Sequence, residues 1–278
     1  MRSAQFLKAG AVLSAAGLAY SAGYEVRAFT LREVTVPVLP AGAKPLRVLH
    51  LSDLHMTPTQ KLKQRWLNSL AALKPDLVIN TGDNIAHRQV IDPLMASLGS
   101  LAEVPGAFVF GSNDYFAPGF RNPLKYLLPD DGERHVDGPQ LPFEDLRSRF
   151  TESGWVDLNN RHGSLEINGI RIAFVGVDDP HLEYDDLVGV SGPADSTADL
   201  RIAVTHAPYL RVLDQFADEG YELIMAGHTH GGQLQVPFIG ALVTNCDLDR
   251  ARVRGLHRHP AESEPGAPGS SWLHVSAG

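Results

Sequence analysis

Apolar and polar positions fall into blocks along the chain, and the blocks predict a repeating order of elements. Residues 46–52 (LRVLHLS) read as a buried strand. Residues 60–73 place Leu62, Trp66, Leu70 and Leu73 at helical spacing. DLVIN (76–80), after Pro75, predicts a strand, 90–101 a helix, and GAFVF (106–110) a strand. This β-α-β-α-β order predicts right-handed crossovers and a sheet with helical cover. A helix follows over 143–153. SLEI (164–167) and RIAFVGV (171–177) then flank Asn168-Gly169, a strong hairpin signal. RIAVTH (201–206) predicts a strand, 210–220 a helix and YELIM (221–225) a strand. Residues 129–142 have the composition of a surface excursion or partial cap, and 257–271 of a flexible loop. WLHVSAG (272–278) begins a last strand.

The N-terminus differs in character. Arg2 and Lys8 precede the apolar run 9–20, so residues 1–24 resemble a signal peptide or signal anchor. AQFLK is similar to the tail of a twin-arginine signal, without the arginine pair. The expectation is a chain exported or anchored at the membrane through this segment. Residues 25–45 are expected as a linker or first strand, and 46–278 as one catalytic domain.

Composition narrows the function. Apolar content of 44% and charged content of 20% suit a globular chain of 278 residues with a sizeable core. Its 24 basic and 32 acidic residues leave a net charge of −8, which argues against nucleic acid as a partner. Cys246 is the only cysteine, so no thiolate zinc cage is available.

Polar residues gather where the predicted strands end. SDLH after the first strand carries Asp53 and His55, and TGDN after the second carries Asp83. GSND after the third carries Asn113 and Asp114. His206 closes RIAVTH, and AGHTHGG after YELIM carries His228 and His230. Open α/β sheets build their sites at the carboxyl ends of strands. Hard carboxylate oxygens with imidazoles suit Mn, Fe or Zn rather than Ca.

The order D-x-H, G-D, a block like G-N-H-[DE], a lone His, then G-H-x-H resembles the calcineurin-like metallophosphoesterase superfamily, over about 46–256. GVDDPH (176–181) and the stretch from GHTHGG to TNC (227–246) are similar to its membrane-linked bacterial branch. The resemblance implies an α/β fold: a β-sandwich of two mixed sheets flanked by helices, with two divalent metal ions at one edge. It implies that Asp53, His55, Asp83 and His230 hold the first ion. Asp83, Asn113, His206 and His228 then hold the second, with Asp83 bridging. It further implies phosphoester hydrolysis by a metal-bridging hydroxide. The substrate would be a phosphorylated small molecule or a lipid-like phosphodiester or pyrophosphate. Relatives continue past the final strand through further strands, so by that comparison the C-terminus is short.

One block departs from the pattern. With Asn113 as the ligand, Asp114 stands where the family has a His that binds phosphate or protonates the leaving group. With Gly111 as the family glycine, Ser112 takes the ligand position and Asn113 that of the His. Either way the usual His is missing. Asp114 is then expected beside the reacting phosphate, with Asn113 and His181 as further catalytic candidates. Asp178 is a candidate acceptor behind a metal-ligating His. A catalytically weak metal-dependent binding protein on the same fold is the alternative function. His50 and His87 read as structural or surface residues.

Overall fold

The computed structural model describes residues 27–119, 138–236, 240–264 and 266–278, with Gly17, Tyr20, Gly23 and Tyr24. The expected signal or anchor segment, 1–24, thus lies almost wholly outside the described residues. So does most of the excursion at 129–142.

Two sheets form the frame. In the first, β1 (Val48–Leu51), β2 (Leu77–Asn80), β3 (Gly106–Phe108) and β4 (Val156–Asp157) lie side by side in that order, all parallel. The second contains β5 (Arg161–Ile167), β6 (Ile170–Gly176), β7 (Leu200–Val204), β8 (Leu223–Ala226), β11 (Gly255–His259) and β12 (Ser271–Val275), in the order β11-β12-β8-β7-β6-β5. It is mixed: β5 and β11 are antiparallel to their neighbours and the rest are parallel. β9 (Gln233–Val236) and β10 (Gly240–Val243) form a separate hairpin. The two-sheet sandwich matches expectation, with the smaller sheet purely parallel.

Alternation within the strands assigns each face. Leu77 and Ile79 of β2, Ile202 and Val204 of β7, and Leu223 and Met225 of β8 fill the space between the sheets. Val78 points the other way, to the core under α1 (Lys61–Ser69), α2 (Ile91–Leu98) and α4 (Phe143–Glu152). Ala203 and Ile224 face α5 (Leu210–Asp218), which buries Val212, Leu213 and Phe216. Strands covered on both sides read as unbroken apolar runs, which is why LVIN and LIMA show no alternation in sequence. Phe108 and Phe150 meet edge to face at 5.1 Å in the helix-side core. Truncating such a buried ring costs about 3–5 kcal/mol.

The predicted helices over 60–73 and 90–101 are shorter as α-helix, because each closes in a 3-10 turn, Leu70–Leu73 and Gly99–Glu103. Lys74 and Gly99 take left-handed backbone there, which ends the regular ladder. Asn168 and Gly169 both have positive φ, 54° and 79°, so the β5–β6 hairpin has the primed turn that its sequence calls for. No strand forms over 28–46, so of the linker or first strand expected at 25–45 the described part is not a strand. Pro37, Pro40 and Pro45 lack the N–H that a ladder needs. The segment packs instead as a strap. Phe29 lies 5.0 Å from the Trp66 ring, and Val36, Val38 and Leu39 cover the core between the sheets.

Among the described residues, no helix is long and apolar enough to cross a membrane.

Candidate metal centre

The carboxyl ends of β1, β2, β3, β7 and β8 converge at one edge of the sandwich. Asp53 and His55 follow β1, and Asp83 follows β2. Asn113 lies in the single turn α3 (Ser112–Tyr115) after β3. His206 follows β7, and His228 and His230 follow β8. Asp53, His55 and His230 offer donor atoms within 4.8 Å of one another, and so do Asp53, Asp83 and His206.

The backbone is unusual at these positions. Asp53, His55, Asp83, His228 and His230 all have positive φ, between 39° and 70°. Non-glycine residues rarely sit there, although Asp and His tolerate it better than most, and such strain gathers at functional sites. The left-handed turns swing each side chain back over the strand end instead of letting it alternate away.

Asp83 lies at the middle. Its Oδ1 is 3.5 Å from His206 Nε2, and its Oδ2 is 3.5 Å from His55 Nε2. Asn113 donates its backbone N–H to Oδ1 and its side-chain amide to Oδ2, each at 2.7 Å. Burial alone would raise this carboxyl, but His206, His55 and the two Asn113 bonds hold it below the usual range. Asp53 is engaged differently. The His228 N–H reaches both its oxygens, and the Ser52 hydroxyl donates to Oδ2. Its Oδ1 lies 3.5 Å from His230 and 3.9 Å from His55. Asp53 therefore presents one oxygen to the histidines, whereas each oxygen of Asp83 faces a different one.

The imidazoles are oriented from behind. His206 is fully buried, and its Nδ1 meets the Thr81 carbonyl at 2.7 Å, which turns Nε2 toward Asp83 and, at 3.3 Å, His228 Nδ1. His228 Nε2 meets the Asn245 carbonyl at 3.3 Å. A carbonyl behind one ring nitrogen fixes the tautomer and frees the other nitrogen as a ligand. Burial works against a charge on His206, yet Asp83, Asp179 and Asp53 outweigh it and hold the ring up to about 9. The His55 and His230 Nε2 atoms are 3.1 Å apart, their rings stacked at 5.0 Å. Lys63 donates to the Leu54 carbonyl between Asp53 and His55.

Two glycines make the convergence possible. A Cβ on Gly111 would collide with the Asp83 carboxylate and the His206 ring. One on Gly227 would collide with Ser52 and Asp53.

The donor set fits a divalent ion. Ligands on bonds of about 2.1 Å lie roughly 3.0–3.5 Å apart around an ion, close to the spacings here. Carboxylates with imidazoles are the chemistry of Mn, Fe or Zn.

Asp114 is placed otherwise than expected. It is fully buried and turned from the mouth of the site. Its Oδ2 accepts the backbone N–H of Asp83 at 2.8 Å and of Gly111 at 3.0 Å, and its Oδ1 that of Asn84 at 2.8 Å. With both oxygens engaged by the main chain, it is a strut beneath Asp83, not a group beside a leaving oxygen. Asn113, one residue earlier, is half-buried and turns its amide onto Asp83 Oδ2. Burial and then the charge of Asp83 push Asp114 up to about 7, against the backbone bonds.

Asp178 also departs from expectation. It supports no histidine, but accepts the Tyr115 hydroxyl at 2.7 Å, tying α3 to the loop after β6. His181 does reach the site: its ring centroid is 4.5 Å from that of His228, and its Nδ1 is 3.1 Å from the Tyr209 hydroxyl. The supporting roles of Thr81 and Asn245 have no sequence signal, because both act through backbone carbonyls. His50 and His87 are outside the centre. His50 joins His274 across the sandwich at 2.9 Å, and His87 is exposed.

Comparison with known proteins agrees with this architecture. The family model for calcineurin-like phosphoesterases matches residues 46–232, and the chain belongs to that family. It is a metal-dependent phosphoesterase. The metallophosphoesterase YkoQ of Bacillus subtilis is 27% identical over 80% of this chain and 74% of its own length. The phosphodiesterase YaeI of Escherichia coli is 27% identical over 91% of this chain and 86% of its own. A bovine transmembrane protein with a metallophosphoesterase domain is 28% identical over 88% of this chain, which spans 53% of that relative.

Proposed function

We propose that the chain hydrolyses a phosphodiester at a centre of two divalent ions, with Asp83 between them. The observation that carries this reading is the division of Asp83: one oxygen toward His206, the other toward His55. Each oxygen has two lone pairs and gives only one to Asn113, so both keep a site for a cation. Asp53, His55 and His230 complete one side, and Asn113, His206 and His228 the other. Two such ions supply an activated water and neutralise phosphoryl charge during in-line displacement.

The chain's own residues do the rest. Asn113 is half-buried beside Asp83, where its amide can donate to a phosphoryl oxygen. His181, beside His228 and anchored by Tyr209, is placed to donate a proton to the departing oxygen. The diester class is supported by the likeness to YaeI, a phosphodiesterase by name. The apolar segment at 9–20 and the likeness to a transmembrane relative support a site held at a membrane and a lipid-like phosphodiester.

Metal analysis with an aryl phosphodiester and Mn²⁺ tests the reading. Asp83→Ala should lose both ions and turnover, and His230→Ala chiefly one ion. Equal metal content in wild type and Asp83→Ala overturns it. Metal binding without turnover on any diester would leave a binding protein on this fold.

A further inference from the structure

The loop after β6 holds a carboxylate with no assigned use. Asp179 is fully buried. Its Oδ1 accepts the His181 backbone N–H at 3.0 Å, while its Oδ2 is buried without a hydrogen-bond partner. A half-satisfied carboxylate in an apolar interior is costly unless a positive charge lies near. Most other buried acids of the centre are fully engaged. Asp114 has three backbone donors, and Asp53 has the His228 N–H and the Ser52 hydroxyl.

The topology places Asp179 beside the end of β7. β6 and β7 are parallel neighbours, with Gly176 opposite Val204. Asp179 leaves the end of β6 three residues on, and His206 leaves the end of β7 two residues on. Both side chains lie in the same buried layer at the metal edge, and the charges of Asp179, His206 and Asp83 are felt by one another. His206 is the innermost of the histidines, with its Nε2 turned to Asp83.

We propose that Asp179 is an outer carboxylate of the metal centre, its unpartnered Oδ2 facing the cation on the His206 side and contributing to that ion's affinity without replacing a ligand. Asp179 is thus a positioning residue whose charge lies near His206 and adds to the pull on a bound ion. The inference rests on the metal-dependent reading above.

Such a role has a signature that a merely structural carboxylate lacks. Asp179→Asn keeps an acceptor for the His181 N–H and removes the charge. Titration calorimetry with Mn²⁺ alone should show an affinity about 10–100-fold weaker, the usual loss for such partners. Mn²⁺ should raise the melting temperature of the variant less than that of wild type. This smaller gain is the expected result. Unchanged Mn²⁺ affinity, or an equal gain in melting temperature from Mn²⁺, overturns the proposal. Asp179→Ser checks that the effect follows charge and not the fit of the amide. Failure of both variants to fold without metal also overturns it, since Asp179 would then be needed by the fold itself. If the wild type itself takes up no Mn²⁺, the metal reading fails first; if only the difference between the proteins is missing, this inference alone fails.

Discussion

Asp114 holds Asp83 by its backbone: the Oδ2 of Asp114 accepts the Asp83 N–H at 2.8 Å. The same carboxylate takes the next N–H, from Asn84, and closes the turn of α3 through Gly111. A loop that must sit in left-handed conformation at Asp83, φ 56°, is pinned from below by an acid 31 residues away.

Asp114→Asn puts an amide donor among backbone donors. One acceptor is lost and one buried N–H is left facing an NH₂. The expected cost is about 1–3 kcal/mol of stability, read from denaturant unfolding, with weaker metal retention as Asp83 shifts. Turnover should fall alike for aryl and alkyl esters. A selective loss on one class would place Asp114 at the leaving group after all.

His181→Ala should behave in the opposite way. An alkyl leaving group needs a proton and an aryl one needs little help. The variant should lose up to roughly 10²–10⁴-fold on alkyl diesters and much less on aryl ones, with metal content intact. Equal losses on both would remove His181 from proton transfer.

The metal-free protein should lose stability between pH 7 and 9. His206 is held up to about 9 in the fold, above its unfolded value of about 6.5. Its contribution is therefore complete below about 6.5 and disappears as pH rises through about 9. Chemical unfolding of EDTA-treated protein at the two pH values measures it. His206→Gln should flatten the slope, and an unchanged slope in that variant would assign it to another group.

Removal of residues 1–26 should spare the metal centre and the melting temperature, because no ligand candidate lies there. Removal of 1–40 should cost stability, because it strips Phe29 from Trp66 and Val36, Val38 and Leu39 from the core between the sheets. Thermal melts of both truncations decide the matter. A large loss already at residue 26 would mean that the leading segment is part of the core.

The strand ends that carry Asp53, Asp83, His206 and His228 were legible in the sequence, because short apolar runs stop at polar residues there. The same runs predict a sheet with helical cover, whereas the two-sheet sandwich came only with the family resemblance carried by the order of motifs. Contacts made across long separations were not legible. The direction of Asp114 depends on how the Asp83 turn approaches α3, and no local pattern encodes that approach. Asp178 accepts from Tyr115, 63 residues away along the chain, which no local pattern shows. The proline-bearing stretch before β1 has alternating apolar residues and looks like a strand. Its missing N–H groups leave it as a strap.

The left-handed turns at Asp53, His55, Asp83, His228 and His230 have a consequence for how this protein can change. Each such residue stores roughly 1–3 kcal/mol that a glycine there would release. The backbone at these turns therefore favours glycine, while metal binding and the charge pairs of the centre favour the residues present. Repeated selection of this chain for heat resistance without metal or substrate should drift these five positions toward glycine or asparagine. The product would be a sturdier sandwich that has forgotten its chemistry.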